Sequence, residues 1–299
     1  MTHAPEMRFE FGKNWHRFIR KNFTQERSNI AKDHILKFTG RDTLKGLDFL
    51  DIGCGSGLHS LAAYEAGADR VFGFDYDVNS VAATSIVRQS VGNPPNWRVE
   101  RGDVLDKDYV AKLGKWDFVY SWGVLHHTGN VWEAIRNAQS TVADGGMFYI
   151  ALYSSDVVSP EEQEFWLRKK REYNRSGSLK QLQMVWWYIW TYIMQKDIKR
   201  LPSFLQRVAT HKLTRGMNIF ADIRDWLGGW PMEYVADQQV VDLLEQECGF
   251  ELVNVWTGEA NSEFLFRRTG RPARRTIVTE MMAAKKAEAA GRTRQFEAA

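Results

Sequence analysis

"FLDIGCGSGLHS", residues 49–60, decides the fold. A short apolar run carries an acid, Asp51, and ends in glycines 53, 55 and 57. An apolar run of this length, closed by glycine, reads as a strand buried on both faces. "GLHSLAAYEAG" behind it reads as a helix that stops at Gly67. Strand, glycine loop and helix in that order place backbone N–H groups around a nucleotide-like ligand.

Working outward, the same pattern repeats. "RVFGFD" is a second strand and "VNSVAATSIVRQSV" a second helix. "NWRVERGD" alternates like a third strand. "WDFVYSWG" is a fourth, "VWEAIRNAQSTVA" a helix and "GGMFYIALY" a fifth strand. Alternation at this spacing calls for a parallel sheet with helices on both faces. After Tyr153 it stops. Residues 154–235 read as mostly helical, then come a helix in "VADQQVVDLLEQECGF" and two strands, "FELVNVW" and "SEFLFRR", near enough to pair antiparallel. Upstream, residues 13–39 keep helical spacing and Gly40 is a plausible stop. The expected division is an N-terminal helical lid (1–44), a ligand-binding core (45–153), a helical insertion forming the acceptor pocket (154–235), the remaining core sheet (236–268) and a charged tail (269–299) read as loose helix or disorder.

The ligand follows from what the loop lacks. A dinucleotide fingerprint needs a third small residue for close helix packing, and Leu58 occupies that position. A carboxylate at Asp51 would oppose a pyrophosphate. It suits a ligand that carries an ammonium and a sulfonium and no phosphate, which is S-adenosylmethionine (SAM). Asp75 ends the second strand, at the distance expected of a ribose-binding acid. Asp103 follows the third strand in "ERGDVLD", where a carboxylate can accept from an adenine amino group. "DFVYSWGVLHH" would flank the transferable methyl group.

With these residues in order, the chain resembles the class I SAM-dependent methyltransferases over roughly residues 45–153 and 237–268, on the "D-x-G-x-G-x-G" loop above all. The resemblance implies a Rossmann-like, doubly wound, seven-stranded α/β sheet, mostly parallel with an antiparallel last strand. It implies that Asp51, Gly53 and Gly55 hold the methionyl part, Asp75 the ribose, and Asp103 with Val104 the adenine. Ser121 and Trp122 would lie beside the methionine chain. Tyr76, next to Asp75, is counted with the cofactor contacts. "VLHH" is similar to the equivalent run of methyltransferases acting on quinones, lipids, sugars and natural products. "FEFGKNW" and "RGMNIFADIRDWLGGWP" look like segments of a bacterial subgroup that acts on small molecules in polysaccharide and secondary-metabolite pathways.

Around the methyl group, Asn14 and Trp15 in "FGKNW" could close over the cofactor, or Trp15 could anchor its helix. His127 is the candidate general base, and His126, Asp222 and Asp225 are counted with it as catalytic candidates. His126 is expected to point elsewhere if the turn is extended. Asp222, Asp225 and Trp226 fall on neighbouring helical positions, suited to a polar acceptor such as a sugar, or are a solvated face. Tyr153 is counted with Trp226 among the acceptor contacts. No metal is required, and adjacent histidines are not a chelate spacing.

The leading expectation is O-methylation of a sugar or secondary-metabolite hydroxyl. A quinone or lipid methyltransferase, an RNA methyltransferase and a non-catalytic SAM-binding subunit are the alternatives. "MVWWYIWTYIM", residues 184–194, is too short to span a bilayer and reads as a lid helix, a homodimer contact or an interfacial helix, the membrane reading being the less favoured. The basic run "WLRKKREYNR" reads as a solvated face. A net charge of +3 gives no reason to expect nucleic acid. Two cysteines and an N-terminus without an apolar core suggest the cytoplasm.

Overall fold

The computed structural model describes Phe9, Gly12 and residues 25–215, 219–258 and 260–285. Strand β1 (Asp48–Ile52) lies in the middle of a seven-stranded sheet. It pairs in parallel with β2 (Arg70–Asp75) on one side and β4 (Trp116–Trp122) on the other. β3 (Trp97–Arg101) extends the sheet beyond β2, and β5 (Val142–Tyr153) extends it beyond β4, both in parallel. The final pair is β6 (Phe250–Thr257) and β7 (Asn261–Arg268), and β7 runs antiparallel to both β5 and β6. The order is β3-β2-β1-β4-β5-β7-β6.

Alternation along each strand sends residues to two cores. Phe49, Val71, Phe118, Tyr120 and Tyr149 face one side, against helix α1 (Gln25–Thr39), helix α2 (Leu58–Glu65) and helix α3 (Val78–Ser90). Leu50, Ile52, Phe74, Val119 and Ile150 face the other, against helix α4 (Lys107–Lys112), helix α5 (Val131–Gln139) and the carboxyl-terminal elements.

A third core belongs to the segment after β5. Helices α6 (Pro160–Arg175), α7 (Ser178–Tyr188), α8 (Leu201–Arg215) and α9 (Ile219–Gly228) gather Trp166, Tyr173, Met184, Val185, Ile189, Phe204, Ile223 and Leu227. The chain then returns to the main domain through α10 (Asp237–Asp242). In the tryptophan-rich run, Met184, Val185, Ile189 and Met194 are buried while Trp186, Trp190 and Tyr192 are exposed. The run is therefore one side of a helical layer. No helix among the described residues is long and apolar enough to cross a membrane.

Two expectations about the termini are corrected. Helix α1, placed in a lid, instead packs Ala31 and Ile35 into the core with Leu61 and Ala62, and Ser28 Oγ donates to Glu65. Its apolar positions found a partner in the neighbouring helix. Asn14 and Trp15 lie outside the described residues. The start of the tail is docked: Val278 is buried, Met281 and Met282 pack on the main core, and the Thr276 N–H donates to Glu245 Oε2 at 2.7 Å. Their i, i+3, i+4 spacing makes an apolar stripe within an otherwise charged segment.

Candidate active site

A cavity of about 810 Å³ opens at the carboxyl ends of the parallel strands, beside the β1–β4 junction where the order of connections reverses. Such a switch point is where open α/β sheets bind ligands. One wall is the glycine loop after β1. Gly53, Gly55 and Gly57 all have positive φ, at 75°, 53° and 80°. A side chain at Gly53 would put Cβ 2.4 Å from Val124 Cγ1, so the loop can lie against the segment after β4 only as glycine.

Asp75 lines the cavity next to that loop. One carboxylate oxygen accepts from Gly55 N–H at 3.0 Å and the other from Asp77 N–H at 2.9 Å. The Ser80 side chain also donates to this carboxylate, which leaves it acceptor capacity for a further donor. Burial pushes this carboxyl up to about 6. Asp103 and Val104 lie farther along, and Asp103 Oδ1 accepts from Leu105 N–H at 2.9 Å. Tyr76 and Trp122 line the edge, both with exposed faces.

Two expected cofactor contacts lie behind the wall. Asp51 is buried and accepts from Ser60 Oγ at 2.6 Å. It does not line the cavity, and burial pushes its carboxyl up to about 7. Ser121 is fully buried and donates to the Ile52 carbonyl at 3.0 Å, tying β4 to β1. Strand alternation turns Ser121 inward and leaves Trp122 at the rim.

The opposite wall is aromatic and basic. Leu125–His127 is a 3-10 turn, not an extended one. The expected divergence of the two histidines is thereby corrected: their ring centroids are 4.4 Å apart and both residues line the cavity. Their partners set opposite tautomers. The Pro231 carbonyl lies 2.7 Å from His127 Nδ1 and can only accept, so Nδ1 carries the proton and Nε2 the lone pair. His126 Nδ1 accepts from Tyr153 N–H at 3.3 Å, so Nε2 carries the proton there. Burial pushes His127 down to about 4, and burial with His127 and Lys170 beside it holds His126 well below the usual range. Both imidazoles are neutral at physiological pH.

Tyr153, Trp226, Tyr188, Asp222 and Asp225 complete this side. The two acids and Trp226 reach the cavity from the single helix α9. Sequence reasoning missed His59, Tyr188, Asn261 and Lys170, all on the cavity wall. His59 was in plain view on the helix behind the glycine loop, but nothing local marked it. Lys170 corrects the reading of "WLRKKREYNR" as wholly solvated: it is 1% exposed.

The donor set fits SAM. Carboxylates lie near the carboxyl end of β1 (Asp51), at the end of β2 (Asp75) and just after β3 (Asp103), the last two on the cavity wall, and they favour a cationic ligand with ribose hydroxyls and an exocyclic amine. No phosphate-binding cluster is needed. Fold and site together define a SAM-dependent methyltransferase. Residues 20–211, well over half of the chain, match the family model described as "Methyltransferase domain", and the chain belongs to that family.

Among curated relatives, a tRNA U34 carboxymethyltransferase of Idiomarina loihiensis is 31% identical over 111 residues, covering 36% of this chain and 33% of that one. A ubiquinone biosynthesis O-methyltransferase of a Methylobacterium species is 28% identical over 144 residues, covering 48% of this chain and 56% of that one. The chain thus spans from a third to a little over half of the length of these relatives. A magnesium protoporphyrin IX methyltransferase from Synechocystis, solved with bound SAH, has a TM-score of 0.49 at 15% identity, covering 86% of this chain and 93% of that one. The expectation that nucleic acid has no part is corrected by the relatives named for tRNA, which occur also in Cellvibrio japonicus and Saccharophagus degradans. Net charge is a whole-chain sum and does not measure what a local surface can bind.

Proposed function

We propose that the chain transfers the methyl group of SAM to a hydroxyl oxygen of a small molecule. The observation that carries this is the wall facing the glycine loop, where Tyr153, Trp226 and Tyr188 enclose a space beside the His127 imidazole. Aromatic rings with a few polar groups suit a compact organic acceptor. Bound SAM supplies a methyl group already activated by its sulfonium.

In this reading Gly53 and Gly55 present backbone to the methionyl part, with the Asp51 charge behind them. Asp75 accepts from the ribose hydroxyls, and Asp103 with Val104 and Tyr76 frames the adenine. Trp122 borders the methionyl end. His127 Nε2 takes the acceptor's hydroxyl proton, while Tyr153 and Trp226 hold the acceptor in line, where alignment itself supplies much of the rate. Asp222 and Asp225 offer acceptors to further hydroxyls.

A second reading, methylation of an RNA base, is favoured by the names of the tRNA-modifying relatives. Labelled SAM with fractionated cell extract separates them: label in the small-molecule fraction is expected, and label confined to RNA would sink the first reading.

The carboxylates also give SAM binding a pH dependence. Asp75 and Asp51 are raised to about 6 and about 7, so both are partly protonated near neutrality. A bound cation favours their charged forms, lowers both values and releases protons. Affinity therefore rises with pH, by about tenfold between pH 5 and 7.5. Calorimetry in buffers of different ionisation enthalpy checks it. Proton uptake on binding would contradict the arrangement.

A further inference from the structure

We propose that the acceptor carries an anionic oxygen group, of the carboxylate class, that seats between the Lys170 ammonium and the N–H groups of His126 and Trp226. This rests on the small-molecule reading above and names the chemistry that would be recognised.

Helix α6 presents a run of cations, and most of them are accounted for at its surface. Lys169 pairs with Glu172 at 2.8 Å, and Arg171 lies over the Trp230 ring at 4.8 Å. Lys170 alone turns inward. Its Nζ donates to the Trp226 carbonyl and sits 4.2 Å from the centroid of the Trp226 ring. An ammonium has three donors, and this carbonyl uses one. No carboxylate among the described residues forms an ion pair with it. Asp222 and Asp225 line the same cavity from helix α9.

Two more donors stand on the same wall without an acceptor. His126 Nε2 is buried and makes no hydrogen bond, and the tautomer set by Tyr153 N–H makes it a donor. Trp226 Nε1 is also buried without a partner. A buried ammonium without a counter-charge is costly, and so is each unsatisfied N–H. Three such groups in one cavity wall form a site that a neutral ligand would leave largely unrepaid. An anion meets all three and supplies the missing charge. Burial pushes Lys170 down to about 7, as befits an ammonium with nothing opposite it. The site lies against Tyr153, which contacts His126, His127 and Trp226. An acceptor anchored here would place a neighbouring hydroxyl near His127.

Benzoate and its neutral isostere benzamide are the probes, titrated by calorimetry into the protein saturated with S-adenosylhomocysteine. Benzoate is expected to bind at least about tenfold more tightly than benzamide. Lys170→Met, which keeps length and removes charge, should erase that preference while S-adenosylhomocysteine affinity persists. Benzoate binding no tighter than benzamide to the parent protein, whether both bind or neither does, overturns the proposal without any variant. A preference that survives in Lys170→Met overturns it as well. Failure of the small-molecule reading registers separately, as label found only in RNA with cell extract.

Discussion

His127→Gln is expected to lower methyl transfer by about a hundredfold or more, the range typical of losing a general base, with SAM affinity nearly unchanged. The Pro231 carbonyl fixes the His127 proton on Nδ1, which puts the lone pair on Nε2. Glutamine keeps polarity and approximate size but has no titratable nitrogen. With the imidazole pushed down to about 4, the ring is neutral at neutral pH. Its contribution is lost as pH falls through about 4, not through the usual histidine range. The parent enzyme should therefore show no loss of kcat ascribable to His127 between pH 6 and 9. Near-normal turnover of the variant over the same window would remove His127 from the mechanism and leave Asp222 and Asp225 as candidates.

Asp75→Ala is expected to weaken both SAM and its demethylated product, by about tenfold or more if a hydrogen bond to a charged acceptor is lost at about 1.5 kcal/mol. The same carboxylate also accepts from Gly55 and Asp77 N–H groups, so its removal loosens the glycine loop. Asp75→Asn separates the two effects. An amide oxygen keeps one of the two loop acceptors while its NH2 cannot accept the other N–H, so the deficit should be smaller than that of Asp75→Ala. Thermal unfolding of the ligand-free variants reads loop damage apart from binding. SAM affinity untouched in Asp75→Ala would exclude this carboxylate as the ribose acceptor.

The parallel sheet was legible because its signals are local. Five apolar runs alternating with helices call for a parallel sheet covered on both faces, and two later runs are close enough to form a hairpin. The glycine loop, Asp75 and Asp103 were legible for the same reason: each follows a strand directly, and strand ends converge on one edge of the sheet. Tertiary packing decided the rest. Ser121 and Trp122 are adjacent, yet one ties two strands together while the other borders the cavity, because neighbouring side chains leave opposite faces of β4.

The histidines came together because Leu125–His127 coils into a 3-10 turn, a conformation the pair of residues does not itself dictate. Helix α1 was assigned to a lid and the tail to loose helix or disorder; α1 and the start of the tail are both docked by apolar stripes whose partners lie far away in the chain. Lys170 shows the limit most clearly. Its neighbours Lys169 and Arg171 have the same chemistry and remain at the surface, while Lys170 is enclosed by helix α9 and Trp226. Charge and helical propensity are properties of a residue and its near neighbours, and the sequence by itself determined the sheet, the loop and the cofactor from them. Burial depends on which surfaces meet, so the acceptor side of the cavity was decided only when the helical layer closed over the strand ends.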